Sequence, residues 1–147
     1  CYIGAGAVLR GDIGTVLVGH GSNIQENCVI HTFPDKNTNL HDNTHIGHGA
    51  ILHGCEIFPD VLIGMGAIVA DGVIINSRCL IGAGSFVPFG WEVPSDSVLA
   101  GSPAKIIKPL NSEQLEIIRN SRAIYQNLAL RYLKSFREIP TGDALHT

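Results

Sequence analysis

Aliphatic residues recur at every sixth position along the second half of this chain. The series reads Ile57, Ile63, Val69, Ile75, Ile81 and Val87. A small or medium-sized residue follows four places after the first five, at Val61, Ala67, Val73, Cys79 and Ser85. Tandem repeats of this kind are typical of folds in which each repeat stacks on its neighbours. A period of six predicts an all-β fold, a left-handed parallel β-helix in which three hexads form one triangular coil.

The same phase occurs in the first half of the chain, with three interruptions, the first of them at Arg10-Gly11-Asp12 between Leu9 and Val18. Its aliphatic members are Ile3, Leu9, Val18, Ile24, Ile30, Leu40, Ile46 and Leu52. Residues 32–39 are loop-like in composition and separate Ile30 from Leu40. One residue is lost at the turn His53-Gly54-Cys55, before the regular series begins at Ile57. We expect the repeat to fade after Val87, where Pro88, Gly90 and Pro94 follow.

The period changes near residue 111, where apolar residues begin to recur at steps of three and four. This spacing predicts an amphipathic helix packed along the outside of the β-helix. Asn111 followed by Gln114 is a plausible N-terminal cap. The sequence therefore predicts three segments: a β-helix domain over residues 1–110, a C-terminal helix over 111–138, and a tail over 139–147.

Three histidines occupy positions of the repeat that can be assigned to faces. His31 directly follows Ile30, and His53 directly follows Leu52, so both rings point outward from the same face in successive coils. Neighbouring strands lie ~4.8 Å apart, which lets two rings bind one ion. His48 belongs to another face, and only a neighbouring copy could bring it to that ion. We therefore predict a divalent metal held by His31 and His53 of one subunit and His48 of the next, in a threefold assembly.

Composition narrows the function classes. The 147 residues are 45% hydrophobic and 16% charged, as expected for an ordered domain. The net charge of −3 and the lack of a Lys/Arg block argue against nucleic acid or an anionic membrane as the main partner. There is no long apolar run and no secretory signal, so we expect a cytoplasmic protein with reduced cysteines. The chain opens at Cys1 inside a repeat, and we expect that it is a fragment.

Several motifs together resemble the gamma-class carbonic anhydrases, from Ile3 to the end of the chain. They are Leu9-Arg10-Gly11-Asp12, Ser22-Asn23-Ile24-Gln25-Glu26-Asn27, Val29-Ile30-His31, the stretch from Ile46 to Cys55, Leu62-Ile63-Gly64-Met65-Gly66-Ala67, and Ala100-Gly101-Ser102-Pro103-Ala104-Lys105. Within that family, His31-Thr32-Phe33-Pro34 and Tyr125-Gln126 are closer to the branch of the phenylacetate-pathway thioesterase and the carnitine-operon protein.

This resemblance implies a homotrimer with metal sites at the subunit interfaces. It implies His31, His48 and His53 as ligands of zinc, or alternatively of iron or cobalt. Arg10 and Asp12 match a pair that bridges subunits near the site. Gln25 matches a residue that orients the metal-bound water, and Asn23 supports it. The expected reaction is attack of metal-bound hydroxide on CO2 to give bicarbonate.

Three alternatives stay open from the sequence. The same metal site could hydrolyse an acyl-CoA thioester, as the branch suggests. A hexapeptide acyltransferase would use one histidine as a base without metal. A structural trimer would keep the assembly and lose catalysis. Fast CO2 hydration is in question because Ile13 and Phe33-Pro34 stand where efficient members carry acidic proton-shuttle residues.

Overall fold

Three sheets form the walls of a β-helix in the computed structural model, which describes residues 1–137. Strands of one wall are one coil apart in sequence and pair in parallel. The walls are named here sheets A, B and C. The predicted fold, a left-handed parallel β-helix followed by a C-terminal α-helix, is confirmed.

The seventeen strands within residues 1–137 are short, and most are two residues long. Sheet A contains β1 (Tyr2–Ile3), β4 (Asn23–Ile24), β7 (His45–Ile46), β10 (Leu62–Ile63), β13 (Leu80–Ile81), β16 (Ser97–Gly101) and β17 (Ala104–Pro109). Sheet B contains β2 (Val8–Leu9), β5 (Val29–His31), β8 (Ile51–His53), β11 (Ile68–Val69) and β14 (Phe86–Val87). Sheet C contains β3 (Thr15–Val18), β6 (Asn37–Leu40), β9 (Glu56–Ile57), β12 (Ile74–Ile75) and β15 (Glu92–Val93).

The predicted phase of the repeat is the observed one. Aliphatic residues at the six-residue spacing point inward from the three walls and are almost fully buried from Ile24 to Val87. The small positions, such as Ala67 and Cys79, are buried beside them. Burial of this continuous apolar column is the main stabilising term of the solenoid, since each coil covers the next.

The prediction that the repeat fades after Val87 was wrong. Val93 and Leu99 continue the six-residue series, and both side chains are fully buried. Pro88 and Gly90 lie at a corner of this coil, before β15, and do not end it. The coil ends at β16, which pairs in antiparallel fashion with β17.

The interruption after Ile30 is a loop that returns the chain to sheet C. Thr38, in β6, is buried and links this return to the histidine strands of sheet B. Its hydroxyl donates to the carbonyl of His31 at 2.5 Å and accepts from the amide of Gly54 at 2.9 Å. The loop is therefore fixed to both coils that carry His31 and His53.

Helix α1 (Ser112–Ser135) begins at the predicted cap. The Asn111 side chain accepts from the amide of Gln114 at 2.8 Å, and the Gln114 side chain accepts from the amide of Asn111 at 3.2 Å. Two orphan donors of the first turn are thereby satisfied. Residue 138 of the predicted helix and the predicted tail over 139–147 lie outside the described residues.

Helix α1 packs along sheet A, against β1, β4 and β7. Within this helix, the side chain of Ile118 is fully buried. Arg122 donates to the carboxylate of Asp60 and to the carbonyl of Asn43, and Gln126 donates to the carbonyl of Gly21 at 2.9 Å. Among residues 1–137, no helix has the length and apolar character needed to cross a membrane.

Candidate histidine site

His31 and His53 lie side by side on the outside of sheet B. Their strands, β5 and β8, pair in register with His31 opposite His53. The Nδ1 atom of His31 is 3.1 Å from the Nε2 atom of His53. The predicted convergence of these two rings from successive coils is therefore what the fold produces.

Asp71 and Phe33 hold the His53 ring. The Asp71 carboxylate is in hydrogen-bond contact with His53 Nδ1. Since an ionised carboxylate can only accept, Nδ1 carries the proton and Nε2 carries the lone pair. The Phe33 ring meets the imidazole edge to face, with 4.8 Å between the ring centroids. The lone pair of His53 is therefore directed at His31.

Arg10 and Asp12 flank the His31 ring. Arg10 Nη2 lies 3.3 Å from His31 Nδ1, and Asp12 Oδ1 lies 3.4 Å from His31 Nε2. A guanidinium can only donate, so Nδ1 of His31 is an acceptor and the ring proton faces Asp12. Two imidazole lone pairs thus face each other across 3.1 Å. This arrangement is repulsive unless a cation or a proton lies between them.

The third predicted ligand, His48, lies at the turn after β7 on the sheet A side. Its Nδ1 donates to Glu26 Oε2 at 2.7 Å, and the other Glu26 oxygen accepts from the Tyr2 hydroxyl at 2.5 Å. The Tyr2 hydrogen bond and the His48 contact hold the pKa of Glu26 below its usual range. The Nε2 of His48 is therefore an acceptor, 3.4 Å from the hydroxyl of Tyr125, and the side chain is 45% exposed.

Asn23 and Gln25 form a buried polar network behind His48. The Gln25 amide nitrogen donates to Asn23 Oδ1 at 3.1 Å and lies 2.8 Å from Nε2 of His45. The side-chain oxygen of Gln25, Oε1, accepts from the backbone amide of His48 at 3.2 Å. Burial and the nearby charges of His48 and Arg122 lower the pKa of His45 to about 4. The network therefore keeps a neutral imidazole beneath the His48 turn.

The seven predicted site residues thus form two separate groups within one chain. Arg10, Asp12, His31 and His53 meet on sheet B, whereas Asn23, Gln25 and His48 meet on sheet A. In the part of the chain that the structure describes, no group of three His, Cys, Asp or Glu side chains is placed to hold a metal by itself. The predicted three-histidine site needs two copies, and it stays a prediction.

Sequence reasoning missed Asp71 as a partner of His53. β8 and β11 pair Leu52 with Val69, so Ala70 follows opposite His53 and Asp71 follows opposite Gly54. Counting forward one shortened coil from Gly54, the residue after the histidine, would have identified this carboxylate. The same count places Glu26 opposite His48, because β4 and β7 pair Ile24 with Ile46 and each of the two residues follows two places later.

Cys55, next to this group in sequence, has neither a ligand's nor a nucleophile's environment. Its side chain is buried in the core. Burial, with the nearby charge of Asp71, raises the pKa of its thiol to about 12. A thiol must ionise to bind a metal or attack a carbon atom, so Cys55 is a packing residue.

An apolar groove begins at His48 and runs between sheet A and helix α1. Its volume is about 470 Å³, within the range of small-molecule sites. His48, Gln25 and His45 form one polar part of its lining. The other walls are mainly apolar and include Leu62, Met65, Leu80 and Ile124.

A column of exposed aliphatic residues runs beside His31 and His53 on sheet B. Val8, Val29, Ile51 and Ile68 are paired in register, and each is 40–49% exposed. A contiguous apolar patch next to charged and imidazole groups is typical of a protein–protein interface.

The chain is similar to known proteins in both sequence and structure. The family described as bacterial transferase hexapeptide (six repeats) matches residues 54–88. The carnitine operon protein CaiE of Salmonella agona is 42% identical over 130 residues, which cover 88% of this chain and 66% of that protein. The chain therefore spans just under two thirds of the length of this curated relative.

Two solved structures are similar over most of the chain. A hexapeptide transferase family protein from Anaplasma phagocytophilum has 36% identity and a TM-score of 0.84, and covers 88% of this chain and 76% of its own. A Bacillus cereus protein, provisionally named an acetyltransferase, has 37% identity and a TM-score of 0.86 with the same coverage. The similarity supports the predicted carnitine-operon branch, whereas the gamma-class carbonic anhydrase resemblance stays a prediction.

Proposed function

Because the chain belongs to the hexapeptide transferase family, we propose that it is an enzyme that acts on a small acyl or carbonyl carbon through its histidines. One observation carries this proposal. His31, His48 and His53 each have one ring nitrogen beside a carboxylate, from Asp12, Glu26 and Asp71 respectively, and a lone pair on the other. Carboxylate-backed imidazoles serve as general bases and as metal ligands.

Acyl transfer is the first candidate, and the comparisons favour it over carbonic anhydrase activity. His48 lines the groove, and Glu26, which accepts from its Nδ1, would stabilise the imidazolium that forms when Nε2 takes a proton. In this reaction His48 removes the proton of an acceptor hydroxyl or amine, whose heteroatom attacks the carbonyl carbon of an acyl thioester. The C–S bond breaks, and the thiolate leaves and takes up the proton from His48.

An interfacial metal centre is the second candidate, favoured by the facing lone pairs of His31 and His53. Three neutral imidazoles are a suitable donor set for zinc, and for iron or cobalt alternatively. His31 and His53 would hold the ion together with His48 of the partner subunit. Zinc there would supply a Lewis acid that activates water for attack on carbon dioxide or a thioester. Gln25 and Asn23 would orient the reactants beside His48.

Both candidates are proposed to act in a homotrimer. The exposed column Val8, Val29, Ile51 and Ile68 lies beside the His31–His53 pair, and a neighbouring copy would cover it. Arg10 and Asp12 are half exposed and lie 3.7 Å apart, so either can exchange its partner for one across an interface. An exposed pair of this kind contributes little to the stability of a single chain.

The experiment that separates the candidates is a pair of assays on one preparation. Acetyl transfer from acetyl-CoA to small hydroxyl and amine acceptors is measured alongside CO2 hydration, each in zinc-loaded and chelator-treated protein. Acetyl transfer that survives chelation and is lost in His48→Ala supports the first candidate. CO2 hydration that needs metal and is lost in His53→Ala supports the second. Thioester hydrolysis is detected in the acetyl-CoA assay as free CoA without acetylated product.

His20→Ala is the matched control for these variants. His20 lies on a corner of the solenoid, where its backbone amide donates to Asp42 and its carbonyl accepts from the amide of Asn43, and within residues 1–137 its ring forms no hydrogen bond. We expect this variant to keep wild-type rates in every assay. Failure of acetyl transfer, thioester hydrolysis and CO2 hydration in metal-replete trimer would overturn the proposed function and leave a structural protein.

A further inference from the structure

We propose that Asp71 is a positioning residue that selects the Nδ1–H tautomer of His53 and so directs the ring's lone pair into the site. The proposal deepens the proposed function, because it concerns the same pair of histidines. It is independent of which reaction the site performs, since a metal ligand and a general base both need a free lone pair.

The turn around Gly54 makes this contact possible. Gly54 lies one coil from Asp71 and has a φ of +54°, a conformation that side chains other than glycine adopt at a cost. A Cβ atom at Gly54 would collide with Oδ1 of Asp71. Glycine at this position therefore permits the turn. It also leaves the space that the carboxylate of Asp71 occupies when it contacts His53.

Backbone hydrogen bonds fix the distance between the two residues. The amide of Gly72 donates to the carbonyl of Gly54 at 2.8 Å, which ties the residue after Asp71 to the residue after His53. The amide of Gly54 in turn donates to the carbonyl of His31 at 3.2 Å. The carboxylate and both rings are thus carried by three consecutive coils with continuous backbone pairing.

Of the groups that contact the His53 ring, Asp71 is the one that determines which ring nitrogen carries the proton. Phe33 contacts the ring through its carbon atoms and has no hydrogen bond to give. His31 presents an acceptor, because Arg10 donates to the same nitrogen. A proton on Nε2 of His53 could also satisfy His31, so without Asp71 the opposite tautomer becomes favourable. That tautomer has no lone pair facing His31.

Asp71 is also better placed for this role than Asp12 is for His31. The side chain of Asp71 is 22% exposed, whereas that of Asp12 is 54% exposed and 3.4 Å from its histidine. Water competes less with the more buried contact, so its hydrogen bond is the stronger of the two. Removal of Asp71 should therefore change the histidine pair more than removal of Asp12.

The tautomer can be read directly by 15N NMR of the histidine side chains in metal-free protein at about pH 8, where an ordinary imidazole is neutral. We expect the proton of His53 on Nδ1 in the wild type, and a shift of the population toward Nε2 in Asp71→Ala. Asp71→Glu, which keeps a carboxylate, should retain more of the Nδ1–H form than Asp71→Ala. A wild-type His53 protonated on Nε2, or a tautomer population unchanged in Asp71→Ala, would overturn the proposal.

Zinc affinity, measured by calorimetry, provides a second readout. Loss of a carboxylate that backs a histidine ligand typically weakens metal binding by about 10–100-fold, and we expect this for Asp71→Asn. Asp96→Asn is the matched control, because it makes the same change in a carboxylate that pairs only with Arg78 on the surface. Equal affinities of the two variants would contradict the role of Asp71.

The two readouts separate this proposal from the proposed function. If wild-type protein binds no zinc and is inactive in every assay, the proposed function fails, while the tautomer measurement still tests Asp71. If wild-type protein is active but Asp71→Ala keeps the wild-type tautomer, the proposed function stands and the role of Asp71 is refuted. The wild-type tautomer needs no variant, so a variant that does not fold leaves the proposal testable.

Discussion

The two halves of the solenoid are built on the same six-residue repeat, but only the first half is interrupted. From Ile57 to Leu99 the buried aliphatic positions follow one another at six-residue steps without a break. Before Cys55 the series is interrupted after Leu9, by the segment that carries Arg10 and Asp12, then by a loop and by a shortened turn. All six histidines of the described residues lie in this irregular half, between His20 and His53.

The interruptions are what assemble the histidine group. The loop places Phe33 against the His53 ring, and the shortened turn places Gly54 above Asp71. An uninterrupted repeat would supply stacked outward positions but neither of these contacts. The regular coils therefore provide stability, register and Asp71, whereas the irregular coils carry the histidines.

The largest expected effect tests the stabilising role of the regular half. Ile75 is fully buried in β12, and Ile75→Ala should lower the free energy of unfolding by about 2–5 kcal/mol. Denaturant titration measures the change. Ile74→Ala, on the outward side of the same strand, should cost distinctly less. Equal losses in the two variants would contradict the assignment of the core face.

The second, slightly smaller effect is a loss of folding stability at acidic pH, and it arises in the irregular half. The pKa of His45 is about 4 in the folded protein and near 6.5 when unfolded, so the unfolded state binds the proton first as the pH falls. Stability is therefore unaffected above this window and is lost between pH 6.5 and 4, by about 3 kcal/mol. The free energy of unfolding measured against pH checks this.

His45→Gln is the control for the acid effect. It removes the titrating group, so its stability should fall less than that of the wild type across the same pH window, whatever its starting value. Curves that stay parallel for the two proteins would show that His45 does not remain neutral beneath the His48 turn.

A smaller effect is expected where helix α1 is attached to the solenoid. Arg122 donates to the Asp60 carboxylate and the Asn43 carbonyl, and its side chain is largely buried. Arg122→Ala should cost about 1.5–3 kcal/mol, the usual range for hydrogen bonds to charged groups. Hydrogen exchange should show the loss in α1 and leave the regular coils protected. Uniform loss of protection would contradict a separately attached helix.

The smallest effect is expected at an exposed ion pair of the regular half. Arg78 donates two hydrogen bonds to Asp96, at 2.6 and 2.7 Å, but both side chains face solvent. Water screens such a pair, so Arg78→Ala should leave the melting temperature close to that of the wild type. A large drop in melting temperature would mean that surface pairs, and not the buried column, stabilise these coils.

The sequence predicted the fold because every inward position of the repeat must be apolar and of the right size. It also predicted that His31 and His53 share a face, because register follows from counting. Pro88 and Gly90 led to the wrong prediction for the last coil. They lie at a corner, and the buried Val93 and Leu99 continue the six-residue series after it.

The partners of the histidines were harder to predict. Asp71 reaches His53 across a turn that is one residue short, and Glu26 reaches His48 from a different coil. Such contacts depend on how corner side chains point, which the hexad period does not determine. The sequence therefore predicts the histidines that converge on sheet B, and Asp12 through the family resemblance, but not that the side chains of Asp71 and Glu26 turn toward their histidines.

A subunit-mixing experiment tests the central claim most directly, that one site takes His31 and His53 from one copy and His48 from the next. His31→Ala and His48→Ala, each expected to lack the metal-dependent activity when alone, are co-expressed with different tags and the mixed trimers are isolated. Each mixed trimer in a closed threefold ring contains one intact site of three, so activity should return to about a third of wild type. Mixed trimers that stay as inactive as the two parents would contradict a shared site.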